Sequence, residues 1–320
     1  MKRHISRLSI FFVLLTLLPV RTLAAQYLVP VGQVIGLQLY NDTVTVAAYD
    51  DVLGGAAKAA GLKIGDRIVK INDMSITSAE DVRSALDSGG EEFHLTVSRG
   101  GKQRAVTLTP TQTKDGPRMG VFLRQGIAGI GTVTWYDPDT GAFGALGHGV
   151  CDSTGLLSMT RGSAYEASVT EVKKGKSGDP GQLKGTARSL EPIAPLLRNT
   201  AQGVFGVTTR GWRGEALPVA EYSQIHTGTA SIRAQTCGQV QEYSVEILKI
   251  YPQTRSDCRN FLLKVTDPEL LSTTGGIVQG MSGSPILQDG QLIGAVTHVL
   301  VNDPTVGYGI YIQNMLDAAA

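Results

Sequence analysis

The sequence predicts a mainly β chain of two domains. Three observations carry that expectation. Glycine is 39 of 320 residues, about 12%, against a usual ~7%, and glycine excess marks many tight turns. Short alternating apolar runs recur at 131–136, 167–172, 203–208, 244–250, 261–265 and 292–297, the period-two signature of strands. Turn residues divide them, as in Asp137-Pro138-Asp139, Lys174-Gly175-Lys176 and Gln288-Asp289-Gly290, and in this second half of the chain no long run of helical period appears until the last dozen residues. Apolar residues make up 42% and charged ones 18%, too apolar for a disordered chain.

The N-terminus reads as an export segment over 1–25. Lys2, Arg3 and Arg7 precede an eleven-residue apolar stretch, Leu8 to Leu18, broken by Pro19, and Thr22-Leu23-Ala24-Ala25 offers small residues for cleavage. The stretch is short for a spanning helix, so a cleaved signal peptide is favoured over a membrane anchor. The protein is expected to act outside the cytoplasm, at most peripheral to a membrane. Removing 1–25 deletes four bases and no acid and takes the charge from +1 to 25 − 28 = −3, which argues against a nucleic-acid partner. Three cysteines, Cys151, Cys237 and Cys258, cannot all pair. Either Cys237 bridges Cys258 or all three are buried thiols. The five histidines are scattered and no C-x-x-C occurs, so no metal and no cofactor is expected.

Residues 30–112 read as one module. An Ala-rich helix ends at Gly61, Gly65-Asp66 turns into the strand Arg67–Ile71, and Asn72-Asp73 turns again. Ser78-Ala79-Glu80-Asp81 opens a second helix with Ser78 as cap and Asp81 at the third position. Phe93–Val97 and Ala105–Leu108 form a hairpin. The run A-x-x-A-G-L-x-x-G-D-x-I-x-x-I-N resembles a PDZ domain. That resemblance implies a carboxylate-binding loop before a strand to which a peptide adds. Ile35, Gly36 and Leu37 stand where that loop is expected, with amides around Gly36 holding a C-terminus. The polar, Gly- and Pro-punctuated stretch 113–125 reads as a linker, which leaves 126–320 as the second domain.

That domain carries Gly280-Met281-Ser282-Gly283-Ser284-Pro285. Glycines on both sides of Ser282 permit a loop whose amides converge on one point while the hydroxyl stays exposed. It is similar to the nucleophile loop of trypsin-like serine proteases, with Met281 in place of the usual Asp or Asn. A serine needs a base. His148, in Gly144-Ala145-Leu146-Gly147-His148-Gly149, has small neighbours that let substrate approach. His298, shortly past Ser282, is the candidate for a specificity pocket, and His94 and His226 read as structural. For the acid that orients the base, Asp267 and Asp152 both stand near in sequence, and Asp267-Pro268 is equally a helix start.

The order of export segment, PDZ-like module, F-G-A-L-G-H-G, G-I-V-Q-G-M-S-G-S-P-I and A-V-T-H-V-x-V-N-D-P-T-x-G-Y-G closely resembles the stage IV sporulation protein B peptidases of endospore-forming bacteria. The resemblance implies an N-terminal PDZ domain followed by a trypsin-like two-barrel serine peptidase. The catalytic residues it implies are His148, Asp267 and Ser282, with the amides of Gly280 and Ser282 as oxyanion donors. It further implies a secreted sporulation signalling endopeptidase located between the forespore membranes. Such a protein cleaves itself and a membrane-associated regulator, and so activates intramembrane proteolysis of a mother-cell pro-sigma factor. A second reading is a catalytically inactive extracytoplasmic PDZ scaffold.

Overall fold

The computed structural model describes residues 26–152, 155–255 and 257–320; the export segment lies outside them. No helix among the described residues is long and apolar enough to cross a membrane.

Two closed rings of antiparallel strands organise the chain. The second is the simpler. Strands Gly228–Ala234, Gln241–Ile250, Phe261–Val265, Pro285–Gln288, Gln291–Leu300 and Asp303–Tyr311 close in the spatial order one-two-three-six-five-four. The first ring has the same order. Its strands are Val34–Tyr40, Ile127–Tyr136, Ala142–Ala145, Arg161–Lys173, Gln182–Thr200 and Gly203–Val207, with Ala142–Ala145 paired to Ile127–Tyr136 to close it. Both barrels are filled by inward-facing apolar residues, the first around Ile35, Leu37, Leu39, Val133 and Phe143, the second around Ile232, Phe261, Leu263, Ile286 and Val296. The fold class expected from the sequence is the one observed.

The first barrel corrects two boundaries. Val34–Tyr40 does not belong to the PDZ-like module. It is the first barrel strand, in register Leu39↔Ile127 to Thr132↔Val34 on one side and Gly36↔Tyr165 on the other. Its alternation buries Ile35, Leu37 and Leu39 in the barrel core, so these residues cannot form a peptide-binding loop. The stretch 113–125 is not a linker either. Thr111–Thr113 and Gly116–Arg118 form a small hairpin, and Val121–Arg124 pairs with Val44–Tyr49 as an edge strand of the module's own sheet. The module is therefore an insertion, entered after Tyr40 and left before Ile127, between the first two strands of the barrel.

Within the insertion the local reading holds. Ser78 accepts from the Asp81 amide at 3.1 Å and Asp81 accepts from the Ser78 amide at 2.8 Å, a reciprocal cap on the helix Ala79–Asp87. Asp66 is fully buried and takes a bidentate guanidinium from Arg99, both contacts at 2.6 Å. The module has its own core, from Val44, Ile68, Val82, Phe93 and Leu108. Gln125 closes the base of the module: its amide donates to the carbonyls of Asn41, at the entry, and Thr77, and accepts from the Ala79 N–H. The three cysteines are unpaired, Cys151 and Cys237 exposed and Cys258 buried, so the Cys237–Cys258 bridge is absent and only one thiol is in a core.

Candidate active site

His148 and Ser282 come from different barrels and line one cavity of about 570 Å³, together with Leu146, Gly280, Thr297 and His298. His148 follows the third strand of the first barrel. Leu146 and Gly147 both sit at positive φ, 71° and 67°, a sharp reversal that costs a non-glycine residue energy and recurs at functional sites. A Cβ on Gly147 would also press on Thr297 and Ile310 at 3.0 Å. Ser282 precedes the fourth strand of the second barrel. Its carbonyl accepts from the Thr132 amide at 3.0 Å, which ties the loop to the first barrel. Gly283 must be glycine: φ is 97° and a Cβ would meet the Thr132 carbonyl oxygen at 2.0 Å.

The loop's amides divide into two groups. Met281 donates to Val278, Gly283 to Val296 and Ser284 to Met281, at 2.8 to 3.1 Å. The N–H groups of Gly280 and Ser282 have no acceptor among the described residues. The Gly280 carbonyl is held by Thr132 Oγ1 at 2.9 Å and the Gln279 carbonyl by the Leu183 amide at 2.8 Å. In a trans peptide the C=O and N–H point opposite ways, so the Leu183 bond turns the Gly280 N–H away from that strand.

His148 Nδ1 lies 3.0 Å from the Gly149 carbonyl. A carbonyl only accepts, so Nδ1 carries the proton and Nε2 the lone pair. Burial holds the ring's pKa below the usual imidazole value, outweighing the pull of the Gly149 carbonyl. The loop after His148 is fixed by Asn199, whose side chain accepts from the Val150 amide and donates to the Val150 and Leu157 carbonyls, all at 2.9 Å. Asn199 was not read from the sequence; an Asn inside a strand carries no signal until its partners are seen.

The His298 ring packs on that of His148, centroids 5.2 Å apart, and its Nδ1 is buried with no partner among the described residues. Burial, then the neighbouring His148 and Arg259, push His298 down to about 4, so it is neutral near pH 7. The Ser282 hydroxyl donates to the Thr297 carbonyl at 2.8 Å rather than to imidazole.

Asp267 is not brought to this cavity. It caps the helix Pro268–Thr274, accepting from the Glu269 and Leu270 amides at 2.9 and 3.0 Å, and from the Ser244 amide at 3.3 Å. These partners of its carboxylate are all backbone N–H groups, which is the helix-start alternative of the Asp-Pro pair. Asp152, the other carboxylate, stands opposite Gly155 in a two-stranded hairpin four residues past His148. His226 binds the Asp289 carboxylate at 2.8 Å, on the second barrel. Asp267→Asn, which keeps a good cap, is therefore expected to cleave peptide within a few-fold of wild type. Asp267→Ala should lose about 1 kcal/mol of stability. Steady-state rates and thermal melts of both variants check this; a rate loss on the order of 10⁴ in Asp267→Asn, the scale of an orienting carboxylate, would restore the catalytic assignment.

The inserted module has its own groove, of about 460 Å³, between the helix Ala79–Asp87 and the edge strand Val121–Arg124, lined by Val82, Leu86, Met119, Val121 and Leu123. The turn entering that strand is Met119-Gly120-Val121, with Gly120 at φ 71°. It occupies the place expected for Ile35, Gly36 and Leu37. The signal was available as a glycine between apolar residues opening an alternating run.

Among the described residues no group of three or more His, Cys, Asp or Glu side chains could hold a metal ion.

Comparison with known proteins gives two family matches. The SpoIVB peptidase S55 model matches residues 115–316 and a PDZ domain model matches 52–99. A mitochondrial serine protease HTRA2 of Drosophila willistoni is 37% identical over 65 residues, 20% of this chain and 15% of its own. The zinc metalloprotease RasP of Geobacillus kaustophilus is 41% identical over 70 residues, 21% of this chain and 17% of its own. This chain thus spans under a fifth of the length of either relative, and the two differ in chemistry. Among solved structures, the Rv3671c protease in its inactive form is 13% identical with a TM-score of 0.34, covering 61% of this chain and 85% of that one. The active form from M. tuberculosis gives 14% and 0.33, over 62% and 75%.

Proposed function

This chain belongs to the SpoIVB peptidase S55 family, and on that premise we propose that it is a serine endopeptidase with Ser282 as nucleophile and His148 as general base. One observation carries the proposal: beside a serine hydroxyl, in a cavity shared with a neutral imidazole, the amides of Gly280 and Ser282 have no acceptor among the described residues. Ser282 rotates off the Thr297 carbonyl, His148 Nε2 takes its proton, and Oγ attacks the peptide carbonyl. The new oxyanion accepts from the Gly280 and Ser282 N–H groups. His148 then returns the proton to the leaving amine, and water hydrolyses the ester by the same steps. One such donor is worth ~10²–10³ in rate.

The finer reading rests on the resemblance of the motifs. The protein is exported, cleaves its own chain near the N-terminus and cuts a membrane-associated regulator. Activation of an intramembrane protease and processing of a mother-cell sigma factor follow from that cut in sporulating cells. The groove at Val121–Arg124 takes a peptide strand, of the substrate or of this chain, by edge addition.

A serine-directed fluorophosphonate tests the chemistry. Mass mapping is expected to find the adduct on Ser282. The labelling rate should fall on acidification with a midpoint below the usual imidazole pKa of 6.5, because burial favours the neutral ring. Absence of labelling would favour the inactive scaffold.

A further inference from the structure

A second groove, of about 600 Å³, runs beside the active-site cavity along the first barrel. The two share Leu37, Gly129 and Ile130. Beyond that wall the groove is lined by Gly36, Tyr165, Leu183 and Leu190. Its position relative to Ser282 follows from two bonds already described. Thr132 N–H holds the Ser282 carbonyl, so Ile130 stands two residues along the same strand from the nucleophile's anchor. Leu183 N–H holds Gln279, and a Cβ on Gly280 would sit 3.0 Å from the Leu183 Cβ, so the groove's other wall abuts the oxyanion loop. The strand Gln291–Leu300 also lines the active-site cavity, through Thr297 and Val299, and does not line the second groove.

The mouth of the groove has an independent feature. Tyr165 pairs with Pro192 and Ala167 with Ala187, so Glu166 faces the four residues Arg188, Ser189, Leu190 and Glu191. This bulge projects Leu190, which is 95% exposed. Bulges commonly re-aim side chains beside active sites. The bordering cations are neutralised: Lys184 pairs with Glu171 and Arg188 with Glu166. What remains is a mainly apolar channel, with glycines in its wall and Gln38, Gln182 and Ser189 as its uncharged polar members.

We propose that this groove is the subsite for the segment that follows the scissile bond, and that it selects chains with an apolar side chain two or three residues past that bond. The inference rests on the peptidase reading of Ser282. An extended chain advances ~3.3 Å per residue, so one that crosses Ser282 and leaves past Ile130 enters this groove within its first few residues.

The test is a peptide library held constant up to the scissile bond and randomised at the second and third residues beyond it, with cleavage read by mass spectrometry against a Ser282→Ala blank. Wild type is expected to favour apolar over acidic residues there by roughly tenfold or more in kcat/KM. Leu190→Asp should level that ratio. Leu248→Asp, at a leucine 40% exposed on the second barrel, should keep it. Cleavage without discrimination, or equal losses for apolar and acidic substrates in Leu190→Asp, overturns the subsite and leaves the peptidase reading standing. No cleavage above the blank overturns both.

Discussion

Ser282→Ala is expected to lower peptide cleavage by on the order of 10⁶, the cost of losing a nucleophile that acts in concert with its base, while the protein folds as before. The reason lies in how little the hydroxyl does for the fold. Its one bond runs to the Thr297 carbonyl. Replacing it should cost about 1 kcal/mol, a fall of roughly 2–4 °C in Tm for a domain of this size. The oxyanion amides belong to the backbone and survive, so residual turnover above water is expected. On the self-cleavage proposed above, purified Ser282→Ala protein should also keep its N-terminus intact while wild type is expected to trim its own. Cleavage within tenfold of wild type, or a melt displaced by 10 °C or more, would each remove Ser282 from its assigned part.

The candidate site was legible in the sequence where backbone geometry constrains neighbours along the chain. Gly280, Ser282 and Gly283 lie within four residues, and the glycines are there because Thr132 and Leu183 press on the loop from the other barrel. His148 was legible for the same reason, through Gly147 and Gly149. Asp267 was ambiguous because a carboxylate before proline serves a helix start as well as an imidazole; in the structure it bonds the amides of Glu269 and Leu270, as a helix start does. Asn199 and Leu183 were illegible: each acts on a loop far away in sequence, one through a side-chain amide and the other through a backbone N–H that any residue but proline supplies. The first barrel strand was misassigned for a related reason. Val34–Tyr40 alternates as any half-buried antiparallel strand does, and nothing local says that its partners begin at Ile127 and Arg161. Reading the chain linearly gave Val34–Tyr40 to the module that follows it.

That misassignment sets up the second large effect. A protein beginning at Gly126, the boundary read from the sequence, should fail to fold. It lacks the strand that bridges Ile127–Tyr136 and Arg161–Lys173, so the first ring opens and two ladders are left unpaired. It also loses Val34, Ile35, Leu37 and Leu39, all buried; at ~1.5–3 kcal/mol each, their burial is worth about 6–12 kcal/mol, comparable to a whole domain's stability. The complementary variant removes the insertion instead. Leu39 pairs with Ile127, so Tyr40 and Gly126 can be joined through Asn-Gly, a two-residue turn matched to strand twist. Excising 41–125 in this way should leave both barrels closed, a cooperative melt, and a Ser282 that reacts with fluorophosphonate, because the module's core is its own. Peptides that depend on the groove at Val121–Arg124 should lose their advantage, and short ones should not. A cooperative, reactive protein starting at Gly126 would mean that the first strand is dispensable and the insertion reading wrong. An aggregated excision variant would mean that the clamp of Gln125 on Asn41 and Thr77 is needed to hold the barrel's first two strands in register.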